Sequence, residues 1–236
     1  MTGNLGKESI KVIAFDADDT LWSNEPLFRN AERMVAEAMS EFGDVEYISD
    51  ELYKVEVKNM KDYGFGAMAY TLSMIENAVN LSSGKLSGEL VTLILNSGRS
   101  LLHNPATPFP GVVETLDKLS EAGRYKLVLL TKGELLTQEH KIDRSGLGKY
   151  FSHIEIVSNK SQKEYLILCN KLGVRPEELL MVGNSFKSDI EPVLQLGGWG
   201  IHIPFEVLWK LEHTEEYDHP HLFKVTSFPE ILPILL

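Results

Sequence analysis

The stretch Val12-Ile13-Ala14-Phe15-Asp16-Ala17-Asp18-Asp19-Thr20-Leu21-Trp22 decides how this chain is read. From Ile10 to Phe15 the residues are apolar and rich in β-branched side chains, with one lysine among them. Such a run suits a strand buried in a parallel sheet. It ends in acidic residues, and the C-terminal ends of strands are where an open α/β sheet places its chemistry. Asp16 and Asp18 are two apart, so in extended backbone their side chains lean to one face. Two carboxylates that close rarely both stay ionised unless a cation lies between them or one keeps its proton. The pair therefore suits a nucleophile beside a general acid, with a divalent metal nearby. A plainer reading is that Asp18 or Asp19 caps a following helix.

Three later segments bear on the choice. Leu127-Val128-Leu129-Leu130-Thr131-Lys132-Gly133 reads as a buried strand ending in a hydroxyl, an ammonium and a glycine. Lys160 and Lys163 follow the apolar run Ile154 to Val157 and open an amphipathic stretch. Leu179-Leu180-Met181-Val182-Gly183-Asn184-Ser185-Phe186-Lys187-Ser188-Asp189 is again a strand, followed by a turn and an aspartate. Taken singly, each has an ordinary explanation. Thr131 is a common strand residue, Lys163 a solvated helix residue, Gly183-Asn184-Ser185 a turn, and Asp189 a first-turn acid that complements the helix dipole. Taken in order, the four polar clusters converge at one edge of a parallel sheet.

Together the four motifs resemble those of the haloacid dehalogenase-like hydrolases, and the resemblance covers nearly the whole chain. It implies an α/β fold, a Rossmann-like parallel sheet core with an inserted α-helical cap domain. By resemblance, Asp16 is the nucleophile that becomes an aspartyl phosphate. Asp18 is the acid that protonates the leaving alkoxide and then the base that activates water. Thr131 holds a phosphoryl oxygen, and Lys163 neutralises charge on the nucleophile and phosphoryl group, with Lys160 as the alternative. Thr20 orders the turn after the first strand and, with Lys132 and Gly133, is expected on the substrate side of the site. Mg²⁺ is the implied cofactor, expected on Asp16, Asp18, Asn184 and Asp189. One departure stands out: Asn184 takes the first acidic position of the last motif. An amide oxygen suits Mg²⁺, which prefers hard oxygen ligands, but it brings no charge.

The implied function is a Mg²⁺-dependent phosphatase acting on a small phosphorylated metabolite, a sugar phosphate or a nucleoside monophosphate. Phosphate monoesters hydrolyse so slowly unaided that a covalent intermediate, a metal and fixed donors must act together. The alternatives within the fold are a haloacid dehalogenase, a phosphomutase, or a catalytically silent ligand-binding domain. Asp18 counts against the dehalogenase, because halide departure needs no acid.

Composition narrows the partners. The 236 residues are 43% hydrophobic, ample for a packed interior, and the formal net charge is −11. That charge argues against nucleic acid and anionic lipid as partners. An anionic substrate meets an unfavourable global field, which a metal and Lys132, Lys163 and Lys187 have to outweigh locally. Cys169 is the only cysteine, so no disulfide forms within the chain, and it reads as a small core residue. Met1 to Ser9 is polar, no signal-peptide pattern is present, and no apolar run approaches a membrane span, so a cytoplasmic location is expected.

The expected organisation is a core of residues 1–21 and 109–236 and a helical cap of residues 22–108. Helices are predicted over Phe28 to Phe42, Ser49 to Tyr63, Ala67 to Leu81 and Ser87 to Leu102, too much chain for one crossover. A stiff, proline-rich return follows from His103 to Gly111. The core then alternates: helix Val112 to Ala122, strand Lys126 to Thr131, helix Glu134 to Ser145, strand His153 to Val157, helix Gln162 to Leu172. Strand Leu179 to Val182, helix Asp189 to Leu196 and a last core strand Trp199 to Ile203 complete it. A short apolar helix, Phe228 to Leu236, seals the core. In the cap, Tyr63-Gly64-Phe65-Gly66-Ala67-Met68 is a candidate substrate-facing loop, with Phe65 over the ligand and glycines that let the backbone move. His219 and His221 sit in a polar loop and read as solvated.

Overall fold

Strand β1 (Val12–Phe15) is followed by four helices, α1 (Glu25–Ala38), α2 (Val45–Tyr63), α3 (Ala67–Leu81) and α4 (Gly88–Leu102). The alternation α5 (Val112–Ala122), β2 (Lys126–Lys132), α6 (Leu135–Ser145), β3 (His153–Val157), α7 (Gln162–Leu172), β4 (Leu179–Gly183), α8 (Glu191–Gln195), β5 (Trp199–His202) comes next. Strand β6 (Leu222–Lys224) and helix α9 (Leu232–Leu235) close the chain. This computed structural model describes residues 9–236, so the reading of Met1 to Ser9 lies, except for Ser9, outside the described residues.

The strands form one sheet in the order β3-β2-β1-β4-β5-β6. Every pairing is parallel, which requires a crossover between successive strands and explains the strand–helix alternation. β1 is central: Phe15 is in register with Leu129 of β2 and Val182 of β4. The chain leaves β1 toward β2 and β3, then returns to β4 and continues the other way. The switch point therefore falls between β1 and β4, where the strand ends leave a crevice.

Both faces of the sheet are buried, and β1 shows the alternation. Ile13 and Phe15 pack with Val112, Leu116 and Leu119 of α5 and with Phe228, Ile231 and Leu235. Val12 and Ala14 pack on the other face with Tyr165, Leu168 and Cys169 of α7 and Val193 of α8. Cys169 is thus a core residue, and burial pushes its thiol up to about 11.

The chain divides into two units. One runs through Glu25 and comprises Ala106–Lys132 and His140–Leu236, which includes the sheet. The other comprises Pro26–Pro105 and Gly133–Glu139. The division at 25/26 and 105/106 lies a few residues from the expected 21/22 and 108/109, and the segment Gly133–Glu139 joins the helical unit. The core of that unit draws on all four helices, among them Val35 and Met39, Ile48 and Leu52, Tyr70 and Met74, and Leu90 and Ile94. The four-residue spacings are those of amphipathic helices.

Three departures from the sequence reading have identifiable causes. Helix α1 begins at Glu25 instead of Phe28, because the Asp19 carboxylate accepts the N–H groups of Asn24 and Glu25, at 2.7 and 3.0 Å. Pro26 needs no donor partner in a first turn. After β4 the helix expected from Asp189 to Leu196 is present as α8 but starts only at Glu191, after a widened π-helical turn, Phe186–Ile190. The Ile190 N–H reaches back five residues to the Ser185 carbonyl, at 3.3 Å. Finally, β5 is not the last strand: β6 pairs parallel to it, Ile201 against Phe223.

Candidate active site

The first strand does not stop abruptly at Phe15. The Asp16 N–H donates to the Val182 carbonyl at 2.9 Å, which holds Asp16 beside the end of β4. The chain then turns sharply, with the Leu21 N–H on the Ala17 carbonyl and Asp19 at φ 62°. Positive φ is costly for most side chains and tolerated best by Asn and Asp. The turn brings Thr20 back over the nucleophile position: its hydroxyl lies 2.8 Å from Asp16 Oδ2 and 3.2 Å from Asn184 Oδ1, and it accepts the Asn184 N–H at 3.0 Å.

Asp16 is 6% exposed. Its Oδ1 meets Lys160 Nζ at 2.5 Å, and the same ammonium meets Asp189 Oδ1 at 2.7 Å. Two buried carboxylates thus share one lysine, leaving an excess negative charge. Burial raises the Asp16 carboxyl, Lys160 only partly offsets this, and Asp189 and Asp18 add to it, so it is pushed up to about 7. Burial works against the Lys160 ammonium, but the charges of Asp16 and Asp189 outweigh it and raise its pKa. The position expected of Lys163 is therefore taken by Lys160. Lys163 is exposed in the first turn of α7, where its backbone N–H is capped by the Ser161 hydroxyl at 3.3 Å. The two lysines differ because Ser161 starts the helix: Lys160 precedes it on the strand side and Lys163 follows on the solvent side.

Asp189 folds back on its own turn. Its Oδ2 accepts the Ser185 N–H at 3.0 Å, and a Cβ on Gly183 would lie 2.3 Å from that oxygen. Only glycine leaves room for the carboxylate there.

Asp18 points elsewhere. Its Oδ1 accepts from Trp22 Nε1 and from Lys141 Nζ, both at 2.7 Å, and its Oδ2 takes Lys141 at 2.5 Å. Lys141 is 4% exposed and was not singled out in the sequence. A signal was available: Thr137, Gln138 and Lys141 fall at helical spacing on the buried side of α6, and polar residues on an inward face ask for partners.

Thr131 is buried at the end of β2, beside β1 in the sheet. Lys132 reaches Glu212 Oε1 at 2.5 Å, and Glu212 Oε2 accepts the Ser185 and Ser188 hydroxyls, each at 2.5 Å. Burial opposes the Glu212 charge, but Lys132 and the two serine hydroxyls bring it down to about 2. Lys132 is thus committed to a carboxylate, and Lys187 donates to the Leu211 carbonyl at 2.6 Å. Gly133 and Phe65 both belong to the helical unit. Gly64 ends α2, its N–H on the Met60 carbonyl, and Gly66 has φ 133°. A Cβ on Gly66 would meet Glu134 at 2.7 Å, and the Glu134 carboxylate accepts the Met68 N–H at 3.1 Å. These two glycines serve helix ends; Phe65 between them is half-buried.

The donor set fits a hard divalent cation at two positions. Asp16 Oδ2 and Asn184 Oδ1 both approach the single Thr20 hydroxyl, and the surplus negative charge calls for a cation. Mg²⁺ keeps several waters and needs few protein oxygens. The side-chain oxygens of Asp18 and Asp189 are engaged by Lys141, Trp22, Lys160 and Ser185, so those two expected ligands are turned to other partners. Among the described residues, no group of three or more His, Cys, Asp or Glu side chains forms a further metal cluster. No helix among them is long and apolar enough to cross a membrane.

A haloacid dehalogenase-like hydrolase family model matches residues 10–197. Over 232 residues the chain is 27% identical to glyceraldehyde 3-phosphate phosphatase of Methanopyrus kandleri, covering 96% of this chain and 97% of that protein. Pyrimidine 5'-nucleotidase YjjG of Escherichia coli is 26% identical over 86% of this chain and 87% of its own. A haloacid dehalogenase-like family hydrolase of Xanthomonas campestris superposes with a TM-score of 0.84 at 37% identity, covering 95% of this chain and 89% of that one.

Proposed function

The chain belongs to the haloacid dehalogenase-like hydrolases, and from that premise we propose that it is a Mg²⁺-dependent phosphatase working through a phosphoaspartate on Asp16. The observation that carries this reading is the Asp16 carboxylate, buried beside Lys160 and Thr20 with a second aspartate, Asp18, held two residues on.

In the first step an Asp16 oxygen forms a bond to phosphorus while the ester P–O bond breaks, and Asp18 gives its proton to the departing oxygen. In the second, Asp18 takes a proton from a water that attacks the acyl phosphate, releasing inorganic phosphate and restoring Asp16. Lys160 offsets charge on Asp16 and the phosphoryl group, and Thr131 donates to a phosphoryl oxygen. Lys141 and Trp22 fix the direction of Asp18 and act as positioning residues. Asp16 and Asn184 would hold the Mg²⁺. When bound, it offsets the repulsion between the carboxylate and the phosphate dianion.

The substrate we propose is a small phosphomonoester, a triose or other sugar phosphate first and a nucleoside monophosphate second. Support comes from two relatives similar over most of their length, whose names are those of a glyceraldehyde 3-phosphate phosphatase and a pyrimidine nucleotidase. We assign the helical unit the role of the cap, whose side chains select the leaving group.

The test is phosphate release from a panel of triose phosphates, sugar phosphates and nucleoside monophosphates, with Mg²⁺ and with chelator. Release that stops with chelator and in Asp16→Asn is the expected result. Metal-independent release, or release by folded Asp16→Asn protein, would overturn the mechanism.

A further inference from the structure

Tyr165 is fully buried, and its hydroxyl has no part in the phosphatase reading so far. It lies on α7, five residues after Lys160, and its ring packs under the sheet with Val12, Ala14 and Met181. The hydroxyl reaches the π-helical turn that follows β4. It donates to the Ser188 carbonyl at 3.0 Å and lies 3.1 Å from the Asp189 carbonyl, so one proton serves two buried acceptors. All of these residues belong to the sheet unit.

The backbone explains why a donor is wanted there. In a regular α-helix the Ser188 carbonyl would accept the N–H of residue 192. Residue 192 is Pro192, which has none. The widened turn sends the neighbouring amides elsewhere, the Ile190 N–H to the Ser185 carbonyl and the Glu191 N–H to the Phe186 carbonyl. A buried carbonyl left without a donor is costly. The Tyr165 hydroxyl supplies the donor that the proline lacks.

This tie joins the two segments whose side chains meet at the nucleophile. Lys160 immediately precedes Ser161, which caps α7, and Asp189 lies in the π-helical turn. The Asp189 backbone is held at its N–H by the Ser185 carbonyl, at 2.9 Å, and at its own carbonyl by Tyr165. From that fixed base its carboxylate places one oxygen on the Ser185 N–H and the other on the Lys160 ammonium. Lys160 divides its donors between Asp189 and Asp16. Where the ammonium stands against Asp16 therefore depends on Asp189, and where Asp189 stands depends on Tyr165. Misplacing such a group by an ångström can cost on the order of 10²-fold in rate.

We propose that Tyr165 is a positioning residue of the phosphatase reaction, its hydroxyl fixing Asp189 and through it the Lys160 ammonium at the phosphoryl site. The role rests on the phosphatase reading given above.

The experiment starts from Tyr165→Phe, which keeps the buried ring and removes one oxygen. In the phosphate-release assay kcat should fall about tenfold or more while KM stays within about twofold, as for an interaction made chiefly in the transition state. In an Asp189→Asn background the same change should cost less than about twofold, because the carboxylate through which it acts is gone. A role confined to holding the fold together would instead multiply the two losses. In the full chain labelled with ¹⁵N-lysine, without substrate, the Lys160 ammonium resonance should shift in Tyr165→Phe. That of Lys141, the buried lysine that serves Asp18, should stay in place. Unchanged kcat, a loss confined to KM, equal losses in the two backgrounds, or an unmoved Lys160 resonance would overturn the role. No release from the wild type would sink the phosphatase reading and the role with it; wild-type release with any of the preceding results sinks the role alone.

Discussion

Two lysine–carboxylate centres near the end of β4, one buried and one half-buried, are built from the same parts and come out opposite. At the first, Asp16 and Asp189 share Lys160, and the Asp16 carboxyl is pushed up to about 7. At the second, Glu212 is held by Lys132 and by the hydroxyls of Ser185 and Ser188, and is brought down to about 2. Burial opposes the charge of the carboxylate at both. What differs is the count of donors and cations per carboxylate. An undersupplied carboxylate stays reactive and calls for a metal; a fully supplied one is a structural fastener.

The largest effect that can break this comparison is on turnover. Asp16→Asn should lower kcat by on the order of 10⁴-fold or more in the phosphate-release assay, as loss of a nucleophile does. The same change removes the surplus charge, so its thermal unfolding midpoint should equal or exceed that of the wild type. A variant that is inactive and clearly less stable would mean that Asp16 is a fastener too.

Next in size is the shared ammonium. Lys160→Met leaves two carboxylates facing each other in the interior and should cost about 3–5 kcal/mol by denaturant unfolding. Lys163→Met, three residues on and exposed, should stay within about 0.5 kcal/mol. Equal effects at the two positions would undo the assignment of Lys160.

Glu212→Gln sharpens the other half. It keeps the shape, removes the partner of Lys132, and should cost about 1–3 kcal/mol while leaving kcat within a few-fold. A fall in kcat as large as that of Asp16→Asn would place Glu212 in the chemistry.

The smallest effect is in the pH dependence of stability, and the two centres have opposite signs. The Asp16 carboxyl is raised from 3.8 to about 7. Between those values the folded state holds a proton that the unfolded state has lost, so stability falls as pH rises through this window. Glu212 is lowered from 4.5 to about 2. Its contribution is present above 4.5 and is lost as pH falls toward 2. Unfolding free energies measured from pH 2 to 8 should lose the first slope in Asp16→Asn and the second in Glu212→Gln.

Much of this was legible in the sequence where a single local rule decides the structure. Helix α3 runs from Ala67 to Leu81 and β3 from His153 to Val157 as their apolar spacing requires, and Ser161 with Glu164 forms a capping box that starts α7. The apolar runs before Asp16, Thr131, Lys160 and Gly183 are the adjoining strands β1, β2, β3 and β4, so all four polar clusters come to one sheet edge, Lys160 meeting Asp16 there. What could not be read was decided by partners distant in sequence. Lys141 is 123 residues from Asp18, and Glu212 is 80 from Lys132, so no spacing within one element announces either pair. Strand β6 has only three residues and owes its form to the edge of β5. The choice between Lys160 and Lys163 was likewise decided by a distant partner, since Lys160 meets Asp16 across 144 residues while Lys163 lies beyond the helix start, facing solvent.

The connection between β5 and β6 is long enough to be the natural place for a protease to enter. Yet the Lys187 ammonium holds the Leu211 carbonyl, Glu212 is bound at both oxygens, and the rings of Phe205 and Tyr217 rest on Phe109 and Phe186. A surface loop tethered at intervals in this way has little freedom to enter a protease cleft at neutral pH. Acid that protonates Glu212 would loosen the middle tether first, so a preparation stored at low pH would acquire its first nick there.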